Sequence, residues 1–271
     1  MAGSFLDTTI MVELSDNKPA SSVKHIKDYL RNNQPAHAPY YALRELLAGL
    51  VQVLCETYNT INASSNVGEA ITALAKRNPI EGRKKQARIQ VFAEVLNVSF
   101  SDNPNGDRSE IKSEMLQALA IRTNQLWRKS QKITSVELTQ PLGCFTVGSL
   151  SYGAAGELRA PKDSFNCDKE ERCSAASYIY EDQITLAKLI EALHPDNLDP
   201  VAAEKNENSS RRKALKDLQT NGPKKFSKRN CRAIGDAYFA AMCPPGSDVV
   251  TTNTVDHLPL CLALGKKAVK P

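Results

Sequence analysis

The chain has 271 residues, 41% of them hydrophobic, enough to bury a core as one large domain or two modest ones. No stretch approaches the roughly 18 apolar residues of a membrane helix, and "MAGSFLDTTI" lacks a basic segment followed by an apolar run, so the expectation is a cytoplasmic protein with no membrane partner. Seven scattered cysteines, an odd number, argue against a disulfide framework, and a net charge of +5 is small enough that its distribution matters more than its sum.

Residues 4–14 read as a strand from their apolar and β-branched content, with "SDNKPASS" as the turn after it. Asp7 lies inside that stretch, and a buried carboxylate must be paired, hydrogen-bonded or bound to a metal. "SSVKHIKDYLRNN" reads as a helix capped by Ser21 or Ser22, and "AHAPYY" as a second strand or an extended entry. From Tyr40, "YYALRELLAGLVQVLCETYNTI" keeps helical apolar spacing for about six turns, with Glu45 beside the apolar stripe, either facing a cleft or stabilising the helix start.

The middle reads as helical: "VGEAITALAKR", "GRKKQARIQVFAEVLNVSF" and "RSEIKSEMLQALAIRTNQLWRKSQ", with "NPNGD" as a turn. A loop-rich segment at 139–173 follows, long enough to suggest a functional loop or small subdomain, before "AASYIYEDQITLAKLIEALH" resumes helix up to Pro195. "CDKEERC", Cys167 to Cys173, has too long a gap for a zinc knuckle and reads as free thiols. Lys205 to Arg232 carries ten Lys or Arg and two acids, either a phosphate-contacting strip or a solvated face.

At the C-terminal end "RNCRAIGDAYFAAMC" reads as a helix, "SDVVTTN" as a strand, "DHLPLCLALG" as a short helix and "KKAVK" as an edge strand. Strand and helix alternation at both ends suggests an α/β core, residues 1–65 and 223–271, split by a mostly helical insertion, 66–222. Asp7, Glu45, Asp236 and Asp256 then gather where ligands bind in such sheets, beyond the carboxyl ends of the strands. Carboxylates brought together raise one another's pKa unless a divalent cation is present, so the four are candidate ligands for Mg²⁺ or Mn²⁺.

The order "FLDTTIMVEL", "ALRELLAG", "IGDAYFAAMC" and "DVVTTNTVDHL" resembles the PIN-domain nucleases, VapC-type toxins among them, over approximately residues 3–60 and 228–269. Thr9 stands where that family usually has Asn, and His257 where it has Phe. The resemblance implies a three-layer α/β/α fold with a central parallel sheet and a metal-dependent endoribonuclease acting on RNA rather than DNA, tRNA or another structured RNA included. It also implies a toxin or antiviral defence role, an antitoxin or defence-complex partner, and homodimerisation.

Carried over, Asp7, Asp236 and Asp256 hold the metal, with Glu45 completing a second site or orienting water. Thr8, Thr251 and Asn253 become supporting residues, and Lys224, Lys225, Lys228, Arg229 and Arg232 backbone contacts near the site mouth, preceding Asp236 or sharing its helix. His25, His37, His194 and His257 show no spacing of a relay and read as surface or packing residues, and Tyr238, Phe239 and Trp127 as core. Two other readings stand beside this one. A haloacid-dehalogenase-like phosphatase would share "DTT" and "GDAY" but lacks the acid where Thr9 stands; a non-catalytic PIN-like scaffold or binding module would need no metal.

Overall fold

A computed structural model describes residues 3–16, 19–76, 82–133, 142, 144–145, 147–161, 172–204, 206–224 and 226–271. The chain is mixed α/β and mostly helical, with a four-stranded parallel sheet of order β2-β1-β5-β6. Its strands are β1 (Gly3–Leu6), β2 (Ala36–His37), β5 (Ser247–Val250) and β6 (Ala268–Val269); β3 (Ser151–Tyr152) and β4 (Leu158–Arg159) form a separate antiparallel hairpin. All of β1 is buried, as befits an interior strand of a parallel sheet. Leu6 lies opposite Val250, so the carboxyl ends of β1 and β5 are level.

The expected strand 4–14 is corrected: it ends at Leu6, and α1 (Thr8–Ser15) begins immediately. Asp7 makes the break, because its carboxylate accepts a hydrogen bond from Thr8 N at 2.7 Å and caps the new helix. Ile10, Met11 and Ser15 then recur on one buried face, a helical spacing that the apolar β-branched run conceals. Next comes α2 (Lys24–Asn32), whose N-cap position falls on Val23 with no side-chain cap, not on Ser21 or Ser22; Ser22 Oγ instead donates to Pro19 O in the preceding turn. Both readings of "AHAPYY" hold in part, since β2 pairs with β1 and Pro39 leads into the next helix.

The long helix from Tyr40 is continuous, as α3 (Tyr40–Leu46) and α4 (Gln52–Ala63), but Leu47–Val51 between them is π-helical. Such a turn re-aims the side chains on either side of it. α5 (Val67–Lys76), α6 (Gly82–Asp102) and α7 (Arg108–Ile133) follow as expected. Beyond the loop come α8 (Ser174–Glu181), α9 (Gln183–Ala192), α10 (Pro200–Ala203), α11 (Asn206–Asn221), α12 (Lys228–Ala233), α13 (Gly235–Met242) and α14 (Thr254–Ala263). Two expected single helices are therefore each divided. Asp182 caps α9 through Thr185 N at 2.9 Å, and Ile234 separates α12 from α13.

α6 and α7 pack on α4, and α7 also on α1; α8 packs on α13, and α9 on α11 and α14. One continuous apolar cluster therefore includes Phe5, Leu54, Met115, Leu189, Leu218 and Phe239. Tyr238, Phe239 and Trp127 belong to this core, and Trp127 Nε1 donates to Gly148 O at 2.9 Å. Part of the 139–173 loop, including Cys167, lies outside the described residues. Its described part is anchored by Asn59, which hydrogen-bonds both the N–H and the C=O of Leu158.

α13 is buried at Ala237, Tyr238, Phe239 and Ala240, and its last carbonyls need donors from outside the helix. Lys266 supplies them: its Nζ donates to the carbonyls of Ala240, Ala241 and Cys243 at 2.7, 3.0 and 2.6 Å. Lys266→Met keeps the apolar stem but strands these carbonyls. It is expected to lower stability by ~2 kcal/mol, measured by urea unfolding, the scale of a lost charge-assisted hydrogen bond.

Candidate active site

From β1 the chain runs to β2 on one side, and from β5 to β6 on the other, so the β1–β5 boundary is where the strand order reverses. Ligand sites of open α/β sheets lie at that boundary, beyond the carboxyl ends of the strands. Asp7 follows β1 there and Thr251 follows β5, tied by Asp7 N donating to Val250 O at 3.0 Å and by Thr251 Oγ1 donating to Asp7 Oδ2 at 2.8 Å. Asp7 is 4% exposed, and Thr9 Oγ1 also donates to its Oδ2, at 2.8 Å.

The two threonines are themselves held. Thr9 Oγ1 accepts from Thr252 N at 3.1 Å, and Thr251 Oγ1 from Asn253 N at 2.9 Å. Each hydroxyl thus takes a backbone proton and gives its own to the carboxylate, so Thr9 replaces the expected amide with a donor aimed at Asp7. Burial works to raise the Asp7 pKa, but the nearby His257 imidazole and the two threonine hydroxyls outweigh it, and the carboxyl is held below its usual value.

Glu45 comes to the same place from the end of α3, where Thr8 Oγ1 donates to its Oε2 at 2.7 Å. Glu45 is thus half-buried and turned towards the other acids. Its Oε1 lies only 2.8 Å from where a Cβ on Gly235 would sit, and Tyr41 Oη 3.1 Å from it, so a side chain at 235 would push the Glu45 carboxyl from its place. Burial first, and then the charges of Asp236 and Asp7, push the Glu45 carboxyl up to about 8. Asp236, in the first turn of α13, is half-buried.

Two basic side chains meet these acids, one not singled out in the sequence and one read there as packing. Arg211, on α11, donates from Nη2 to Asp236 Oδ2. His257, read as a packing residue, is 1% exposed, and its Nε2 lies 3.6 Å from Asp7 Oδ2 and 3.5 Å from Asp236 Oδ1. Burial favours neutral imidazole, but the nearby Asp7 and Asp236 carboxylates prevail and raise the His257 pKa. Its ring still packs edge-on against Phe239, at 5.9 Å, so it keeps the packing role while turning a nitrogen to the acids. Its neighbour Asp256 is buried in the first turn of α14 and accepts from Asn253 Nδ2.

Among the described residues no three His, Cys, Asp or Glu side chains are already set around one metal position. The donor chemistry nonetheless suits a hard divalent ion, because Asp7, Glu45 and Asp236 offer carboxylate oxygens whose charges act on one another. Of the basic strip, Lys224, Lys228, Arg229 and Arg232 are exposed, and Lys225 lies outside the described residues. None shares the helix of Asp236, because α12 ends at Ala233. Arg232 lines a small cavity together with Arg211, whereas Lys224 lines a different one with Arg172 and Tyr180.

Comparisons with family models, with curated proteins and with solved structures find no match to this chain.

The pH response of the site follows from Glu45. Its pKa is raised from the ordinary 4.5 to about 8, so the folded state holds a proton that the unfolded chain releases. Stability from this group is complete below pH 4.5 and is lost as pH rises towards and through 8. In Glu45→Gln this loss is expected to disappear. Urea unfolding of both proteins at pH 5 and pH 8.5 checks it, with a wild-type decline on the order of a few kcal/mol beyond that of the variant.

Proposed function

We propose that the chain is a metal-dependent phosphodiester hydrolase of the PIN-domain kind, cutting RNA. The observation that carries this reading is the meeting of Asp7, Glu45 and Asp236, from a strand end, an early helix and a late helix, at the point where the parallel sheet reverses its order. Several acids gathered at such a position, close enough for the charges of Asp236 and Asp7 to act on Glu45, favour a cation-assisted reaction over a neutral binding pocket. The likeness of the sequence motifs to PIN nucleases favours RNA as the substrate, a three-layer arrangement about the sheet, a cytoplasmic setting and a toxin or defence role with a cognate protein partner.

Mg²⁺ or Mn²⁺ held by Asp7, Asp236 and Glu45 would supply a water of lowered pKa and stabilise charge on the phosphate. The protein's own groups set up the rest. Thr9 and Thr251 fix the direction of Asp7 and, after His257, favour its ionised form, and Thr8 turns Glu45 towards it. Glu45, once a divalent ion favours its carboxylate form, would complete the metal set or orient the attacking water. Asn253 holds Thr251 through its N–H and Asp256 through its side chain, so Asp256 joins the metal set or supports it from α14. Arg232, Lys228, Arg229 and Lys224 are exposed cations of the kind that contact a nucleic-acid backbone. The phosphatase reading gains nothing from Thr9, whose hydroxyl is spent on Asp7.

Incubation of the purified protein with RNA is expected to give cleavage that requires Mg²⁺ or Mn²⁺ and stops with EDTA. Asp7→Asn and Asp236→Asn should each lower the rate by about a hundredfold or more, the scale for losing a group that stabilises transition-state charge. Equal cleavage by wild type and both variants would overturn the proposal. Turnover of p-nitrophenyl phosphate without RNA cleavage would favour the phosphatase.

A further inference from the structure

Asp236 is held by a residue from the middle of the chain. Arg211 is 5% exposed; its Nη2 donates to Asp236 Oδ2, and its Nη1 donates to Asn208 Oδ1 at 2.6 Å. Asn208, 1% exposed, is in turn fixed by donating from Nδ2 to Ala202 O at 2.8 Å. The guanidinium is therefore aimed by α10 and α11 at one carboxylate of the acidic cluster. A guanidinium keeps its charge at any working pH, so a divalent ion approaching Asp236 meets a fixed positive charge at contact distance.

Beside this ion pair lies a cavity of about 230 Å³ lined by Asn206, Glu207, Ser210, Arg211, Arg232 and Ala233. Arg211 Nε has no partner among the described residues. Arg232 is exposed and has no ion pair among them. Two guanidiniums against one carboxylate, with a serine hydroxyl, form a setting for a phosphate, which guanidiniums bind through paired N–H groups.

We propose that Arg211 is an exchangeable counter-ion: it holds Asp236 in the metal-free protein and passes to a substrate phosphate in the adjoining cavity when a divalent ion takes its place. This rests on the metal-hydrolase reading and adds a coupling to it. The metal must displace the guanidinium and the phosphate receives it, so each ligand favours the other, and by linkage the effect is reciprocal. The middle helices thereby set the metal affinity of a site built at the two ends of the chain.

Calorimetric titration of Mn²⁺ into wild type, Arg211→Gln and Asn208→Ala, with Asp7→Asn as background, tests this with and without adenosine monophosphate, which has no phosphodiester to cleave. In its absence Arg211→Gln should bind Mn²⁺ about tenfold more tightly than wild type. Asn208→Ala, which keeps the charge but loosens its tether, should shift the same way by less. The nucleotide should tighten Mn²⁺ binding several-fold in wild type and leave Arg211→Gln unchanged. Equal or weaker Mn²⁺ binding by Arg211→Gln, with thermal melting showing it folded, would overturn the proposal, as would a nucleotide effect that survives the substitution. If wild type takes up no more Mn²⁺ than Asp7→Asn, the metal-site reading itself falls, and this inference with it.

Discussion

A carboxylate buried at the end of an interior strand must have its lone pairs satisfied, because burial without partners costs several kcal/mol. Asp7 meets that demand with one backbone amide, two threonine hydroxyls and a histidine, drawn from both ends of the chain. The requirement reaches far beyond one residue. Its carboxylate ends β1 and starts α1, and its bond to Thr251 requires β5 to lie level with β1. α14 must then approach closely enough for His257 to reach the same oxygen.

Around that point charge is balanced without being cancelled. Asp7 and Asp236 are met by His257 and Arg211, while Glu45, raised by burial and by the charges of Asp236 and Asp7, is met among the described residues by the Thr8 hydroxyl and the influence of Arg44, and keeps a proton. A group of acids held this way is costly to a fold that has no use for it. Packing explains how it is tolerated. Gly235 lets Glu45 lie against the start of α13, and Phe239 is wedged among Phe5, Tyr41 and the His257 ring. Apolar contacts thus hold the polar groups in place.

Much of the architecture was legible because periodicity is a local property. The helices at 67–76, 82–102 and 108–133, the strand before Thr251 and the edge strand near the end all announce themselves through spacing and turn residues. The first element did not, because a four-residue strand joined directly to a helix of β-branched residues reads as one apolar run. Only the capping role of Asp7 separates them. The π-helical turn after Glu45 and the breaks at Asp182 and Ile234 were hidden for the same reason, since apolar spacing runs on across them.

Asp7, Glu45 and Asp236 could be picked out from the chain itself, since each is an acid set in an apolar element, and such acids need partners. His257 and Arg211 could not. A histidine on the apolar side of a short helix, or one arginine in a strip of ten cations, is ordinary in sequence and takes its meaning from what faces it. The sequence by itself determined which residues would be expensive to bury and which segments would be regular, because those follow from side-chain chemistry and from periods of two and 3.6 residues. Only the tertiary structure decided which charges meet. Partnership at 3 Å depends on strand register, helix approach and tethers such as Asn208, and these bring together residues more than two hundred positions apart.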